Sequence, residues 1–428
     1  MATDTAATDV LREHERERAS VVPLVTTFQR VRIVMGVALG LGAGFAPVYV
    51  GTIALFLKPI SETFGWARAQ TSAASVLSML GLAFGSMIIG RLVDRIGSLR
   101  VIAASALLMA CLIALLSRSA NAPWTFSALS FAIGMAGAGT TPPGYFAVLA
   151  RRFDGRLGLA LGIAGVGMGL GTVSMPLVAG ALIAAQGWRT AYVSLALLSV
   201  TLTVIACGLI FYGDSKAVEH SRSGSATSAQ LEGHTLRAAF GESAIWLLFA
   251  VVLLVAMASI GVSIHLVSLL TDRGIGAGDA ARVVAVSGLG IILGRLGMGY
   301  LLDHFQARRV AAAAFLMGAL GPLLLLVGTG ASELGAAYAA GVLTGLVLGA
   351  EGDFLPFLVR RYFGLRAFGT IYGLLFFAHG IGGVIGPILY GRCFDSLGVY
   401  TSALWGSVIA LGLAAVLILL LGRYRYPK

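Results

Sequence analysis

Charge is what this sequence has least of. Only 11% of its 428 residues are Asp, Glu, Lys or Arg, against about 25% in a water-soluble domain. A chain this long with so few charges cannot cover itself with a solvated face, which excludes a soluble enzyme or a soluble binding module. Cysteine is almost as scarce. Cys111, Cys207 and Cys393 lie within or at the ends of three separate apolar runs, with neither metal-ligand spacing nor a pairing pattern, and read as inert packing. No nucleophile–base pair, metal cluster or phosphate-binding loop is present, and the GxGxxG-like glycines of the fifth apolar run follow no strand. The expectation is a non-enzyme with no metal and no cofactor. Long polar stretches are confined to residues 1–31, with the mixed run LREHERER, and to Gly213–Glu242. The first lacks the basic start and apolar core of a secretory leader and reads as a cytoplasmic tail. The second reads as a solvated linker, with a short amphipathic helix near Leu231 to Phe240.

What fills the chain is apolar. Hydrophobic residues make up 58% and glycine contributes 58 positions, with a mean hydropathy of +0.91. Twelve apolar runs follow, from Ile33–Leu57 to Ala403–Leu421, each able to cross a bilayer. Glycine at this density suits helices that approach closely in lipid. The fold class expected is an all-α membrane protein. It would comprise an N-terminal tail (1–31), a six-helix bundle (32–212), a cytoplasmic linker (213–243), a second six-helix bundle (244–421) and a tail (422–428). With both termini inside, 22 of the 30 Lys and Arg residues fall on the cytoplasmic side, seven outside and one, Arg295, within a span. That asymmetry orients the chain and gives the net charge of +11 a membrane meaning, with no nucleic-acid partner implied.

The second half repeats the first. Gly90-x-Leu92-x-Asp94 matches Gly299-x-Leu301-x-Asp303 and Arg151-Arg152-Phe153 matches Arg360-Arg361-Tyr362, both at an offset of 209, and Pro176 matches Pro387 at 211. Such a repeat about a polar linker is the plan of carriers that rock two bundles around a midplane site. The stretch Gly90-x-Leu92-x-Asp94-Arg95-x-Gly97 with Arg100 resembles the loop between spans 2 and 3 of the major facilitator superfamily. Its second copy, Gly299 to Arg309, has His304 and Gln306 where the first has Arg95 and Gly97.

Four further places resemble the monocarboxylate-transporter and oxalate:formate-antiporter branches of that superfamily. They are Thr63-Phe64-Gly65-Trp66-x-Arg68, the end of span 7 from His265 to Thr271-Asp272, Gly294-Arg295 in span 8, and the glycine-rich span 11 through Pro387. The resemblance implies that Arg295 binds a substrate carboxylate. Where the oxalate carriers have a basic residue in span 11, this sequence has His379, and span 1 holds no charge where the animal carriers have a lysine.

The residues themselves point the same way. Arg295 lies eight positions before Asp303, roughly 12 Å inside the membrane, where an arginine costs about 2.5–3.5 kcal/mol and meets a cavity or an anion. Its planar guanidinium matches a carboxylate bidentately. Glu351 stands nearly level with it in span 10, and Asp353 two residues on. Either acid could pair with Arg295, and Glu351 is favoured as the proton-coupling group because Asp353 can fall on another face. Asp272 and His265, two turns apart near the outer end of span 7, are candidates for an outer proton relay. His379 replaces the apolar Met168 of the other half and suggests cavity lining, with Tyr372, Phe376 and Tyr145 as aromatic walls. Gly90, Asp94, Arg95, Arg100, Arg152, Asp303, Arg309 and Arg361 form the expected inner gate. The function expected is proton-coupled uptake of a small organic monocarboxylate by a monomer in the inner membrane. An anion antiporter or aromatic-acid carrier of the same fold is the nearest alternative, and a non-transporting receptor a more distant one.

Overall fold

In the computed structural model the described residues are 27–119, 122–153, 155–223, 232–328 and 333–426. Most of the expected N-terminal tail (1–26), the linker core (224–231) and the Arg68 side chain lie outside them. The backbone is nearly all helical, as it must be where no water is available to satisfy its polar groups.

The first half opens with α1 (Thr27–Gly42), a π-helical turn (Ala46–Val50) and α2 (Gly51–Phe64), so the helix starts five residues before the expected boundary and span 1 is interrupted at Pro47. Then come α3 (Arg68–Ile96) and α4 (Ser98–Ser119). Span 4 is split into α5 (Pro123–Gly137), a 3-10 turn (Ala138–Thr140) and α6 (Pro142–Arg152), because consecutive prolines can begin a helix but cannot continue one. Spans 5 and 6 form one long α7 (Leu157–Ser223) that turns at Gly187, whose φ of 77° is open to glycine and costly for other residues.

The second half comprises a short α8 (Leu236–Phe240), α9 (Ser243–Asp272), α10 (Ala277–His304), α11 (Ala307–Val327), α12 (Glu333–Phe363), α13 (Phe368–Leu397) and α14 (Thr401–Leu419). Among the described residues, ten stretches are long and apolar enough to cross a membrane. Counting α7 twice for its turn at Gly187 and adding the broken α5–α6 fits twelve crossings. α7 runs on to Ser223, into the stretch expected to be the linker. The chain beyond it is tied down: Gly233 pairs with Gly364, and His234 N donates to Phe363 O at 2.8 Å. The C-terminal tail joins the same place, with Arg425 N and Tyr426 N donating to Arg361 O and Tyr426 Oη 3.0 Å from His234 Nδ1.

Backbones meet at glycines, as they must where lipid supplies no hydrophobic drive between helices. α10 and α12 interlock this way. A Cβ at Gly294 would strike Leu346 O, and one at Gly349 would strike Ile291 O and stand 3.1 Å from Arg295 N. The equivalent pair in the first half, α3 against α5, meets at Gly85 and Gly134.

The two halves are joined mainly at the end of the bundle that carries Asp94 and Asp303, called here the basic end for its arginines. Asp94, closing α3, accepts from Gly369 N (2.9 Å), Thr370 N (2.7 Å) and Thr370 Oγ1 (2.8 Å) at the start of α13. Asp303, near the end of α10, accepts from Gly158 N (2.8 Å) and Leu159 N (2.9 Å) at the start of α7. Each is a carboxylate on the positive end of a helix in the opposite half, a favourable charge–dipole pairing. Arg151 braces Asp94 at 3.1 Å, the Arg360 guanidinium donates to Phe153 O across the halves, and Ser86 Oγ donates to Gly373 O at 2.9 Å.

Candidate substrate site

Midway along the second half, three helices bring six polar and aromatic side chains together. α10 supplies Arg295; α12 supplies Glu351 and Asp353; α13 supplies Tyr372, Phe376 and His379. Arg295 Nη1 lies 3.3 Å from Asp353 Oδ1, and both are buried, Arg295 at 4% and Asp353 at 0% exposure. Glu351 Oε1 lies 2.8 Å from His379 Nδ1, with the His379 side chain 28% exposed. His379 stacks on Phe376 with centroids 5.1 Å apart, and Phe376 meets Tyr372 edge-on at 6.1 Å.

Of the two acids left open as the arginine's partner, Asp353 is the one that meets Arg295, while Glu351, favoured as the proton-coupling group, meets His379. The cause is helical rotation. Two positions along an α-helix turn a side chain by about 200°, so the two acids look to opposite sides of α12.

The site has unmet hydrogen-bonding capacity. Arg295 Nε, Asp353 Oδ2 and Glu351 Oε2 are buried with no hydrogen-bond partner among the described residues. A charged group without its full set of partners in a buried place is costly, and each of these atoms suits a proton or a ligand oxygen. Arg295 also touches the other half. Its guanidinium lies over Gly165 of α7 on one side and Gly352 on the other, and a Cβ at Gly162 would strike Arg295 O. The arginine therefore sits where the charged cluster meets the interface between halves.

The remaining candidates lie elsewhere. Tyr145 is fully buried in the first half, its ring filling the space over Gly40 beside Thr203 and Cys207. His265 stacks on Tyr390 with centroids 5.5 Å apart and lies 5.8 Å from Tyr400. Asp272 is exposed at the end of α9, and Arg273, its sequence neighbour, donates to Leu325 O. These two do not join the central cluster. In the gate set, Asp94 and Asp303 make the bonds between halves just described, and a Cβ at Gly90 would strike Gly369 O. Arg95, Arg100 and Arg309 are exposed, and the Arg361 guanidinium lies over the Phe357 ring at 5.1 Å. Sequence reasoning missed Arg151 and Arg360, each one residue before an arginine it named. Their position at the last turn of a broken and an unbroken span 4-type helix was legible; their direction around the helix was not.

Comparison with known proteins agrees with this architecture. The family model described as Major Facilitator Superfamily matches residues 37–387 and 251–428. The gallate transporter of Pseudomonas putida is 26% identical, with 92% of this chain and 88% of that protein covered. Human monocarboxylate transporter 11 is 31% identical over 62% of this chain and 56% of its own length. Among solved structures, the proton:xylose symporter XylE superposes with a TM-score of 0.66 at 14% identity, covering 90% of this chain and 94% of that one. The chain belongs to the major facilitator superfamily and is a multi-pass membrane transporter of small organic substrates, not an enzyme.

Proposed function

We propose that this protein takes up a small organic monocarboxylate together with a proton, by alternating access, with Arg295 as the carboxylate ligand. The observation that carries the reading is a set of two ion pairs on the same three helices, Arg295–Asp353 and Glu351–His379, with three buried polar atoms left unmet among them. Two relatives named for transport of organic acids, gallate and monocarboxylates, support the substrate class.

Charge balance sets the coupling. With His379 protonated, Arg295 and His379 offset Asp353 and Glu351 and the cluster is neutral. A monocarboxylate brings one negative charge, which is expensive at that depth. A proton delivered to Asp353 restores neutrality and at the same moment releases Arg295 from its partner, so that the guanidinium can turn both nitrogens to the substrate. The Glu351–His379 pair, whose histidine is the most exposed of the four groups, is the entry point for the proton. Transport is then electroneutral, one proton for one monocarboxylate. The walls at Phe376 and Tyr372 suit a flat substrate, aliphatic or aromatic. The Asp94 and Asp303 bonds close the cytoplasmic side in the loading state, and the basic end faces the cytoplasm of an inner membrane, both termini inside, in keeping with the excess of Lys and Arg there. One chain carries the whole site, and it works as a monomer.

The test is uptake into proteoliposomes of labelled lactate, pyruvate, benzoate, gallate and a dicarboxylate, with and without an inward proton gradient. Accumulation of one monocarboxylate only when the outside is acidic, insensitive to membrane potential, is the expected result. Exchange that needs internal substrate and ignores the gradient would replace symport with antiport. No movement of any acid would remove Arg295 from the substrate site and leave its pairing with Asp353 structural.

A further inference from the structure

The second half carries a cavity that the transport site does not use. It is a wedge of about 590 Å³ between α10 and α11, floored by α12, and open sideways. α10 and α11 are consecutive in the chain yet hardly touch, whereas both pack on α12. The walls are apolar: Leu293, Leu301, Met317 and Val310, with Met298 and Leu346 deeper. The mouth, at the basic end, is lined by His304, Gln306 and Arg309.

The mouth is electropositive by default. Asp303, the acid nearest to it in sequence, has both oxygens committed to the start of α7. The neighbouring Arg308 turns away to Leu421 O at 2.7 Å. Arg309 is exposed and lines the groove. His304 gives Nδ1 to Tyr300 O at 2.8 Å, which turns the other edge of its ring outward. A greasy slot at membrane depth that ends in an arginine, an imidazole and an amide at the interface matches one molecule in shape and charge. The geometry points to an anionic glycerophospholipid seated here, one acyl chain in the wedge and its phosphate on Arg309, with Gln306 and His304 as further donors. Basic pockets between spans near the interface hold anionic headgroups in this way. The lining of the wedge includes Gly294 of α10 and Ala350 of α12, the residues next to Arg295 and Glu351, so the seated chain fills the space directly behind these charged residues and stiffens the α10–α12 pair.

Native mass spectrometry of the full-length protein reads this directly. The purified chain is offered equal amounts of phosphatidylglycerol and phosphatidylcholine with identical acyl chains, and the last lipid adduct lost on activation is identified. That adduct is expected to be phosphatidylglycerol by about fivefold or more, the effect of one basic residue near the headgroup. Arg309→Gln should bring the two lipids to parity, Arg309→Lys should keep most of the preference, and Ala313→Trp, which fills the wedge, should lower retention of both. Equal retention of the two lipids by the wild-type chain overturns the proposal. So does a preference that survives both Arg309→Gln and Ala313→Trp. A dimer that Ala313→Trp dissolves would assign the wedge to a second copy of the chain and also overturn it. None of these readings depends on which substrate is carried.

Discussion

At the scale of the residue, the central question is what Arg295 and Asp353 do for each other. Breaking a buried ion pair by removing one partner costs about 3–5 kcal/mol, because the survivor is left charged and alone. Replacing both with neutral groups of similar shape is often nearly neutral. Arg295→Gln should therefore lower the thermal stability in detergent, and Arg295→Gln with Asp353→Asn should recover most of it. Substrate affinity separates structure from function. Both variants should lose about 30-fold or more in binding of the transported acid, since a carboxylate no longer finds its cation. If the double variant transports like the wild type, the arginine is a structural strut.

Asp353→Asn alone makes the opposite prediction: uptake persists at reduced rate and loses its dependence on external pH, read by uptake across a pH series. The depth of these groups was legible from the sequence, because eight residues from Asp303 and nine from Arg360 convert directly to height along a helix. Their pairing was not. It depends on azimuth, and a single chain gives no fixed reference for rotation until a neighbouring helix is known. His379 is the same lesson in reverse: its oddity in an apolar span marked it, but nothing in the sequence of α13 could name Glu351 on α12 as its partner.

Elements are held in register by glycine contacts. The distance from Arg295 to Asp353 is set by how closely α10 approaches α12, and that approach is set at Gly294 and Gly349. Gly349→Ala would place a methyl group against Ile291 O and near Arg295 N. Overpacking of this kind costs about 1–3 kcal/mol. The expected outcome is a fall in melting temperature with a greater relative loss of uptake, because the two helices separate where the ion pair lies. Gly278→Ala, at a position with open space around it, is the control and should change little. Composition foresaw that glycines would pack helices. It could not say which pairs meet, and for that reason it did not single out Gly349 above its neighbours.

On the scale of the whole molecule, the repeat is most useful. Asp94 and Asp303 make matching bonds to helix starts in the opposite half, and opening the basic end must break both. Hydrogen bonds to a charged group contribute about 1.5–3 kcal/mol each. Asp94→Asn and Asp303→Asn should each shift the balance toward the state open at the basic end by about tenfold or more, Asp94→Asn further because Asp94 also accepts from Thr370 Oγ1 and Arg151. Reaction of a cysteine introduced at Leu157 or Phe368, both buried beside these bonds, with a membrane-impermeant reagent measures this. A shift with one variant and none with the other would mean that only one of the two bonds acts as a latch. The motif was readable at Gly90 to Gly97, and the offset of 209 gave its copy. The acceptors' targets at residues 158–159 and 369–370 were hidden, since they lie in the other half.

The stitching near Phe363 has a topological meaning. His234 at the head of the second half and Tyr426 at its tail touch each other, and both are fastened to the last turn of α12. The second half is thus closed into a ring by non-covalent bonds, and its two ends emerge side by side. A gene rearranged so that residues 232–426 precede residues 27–223 would keep every one of these contacts within the second half and need only a peptide long enough to reach from Tyr426 to Thr27.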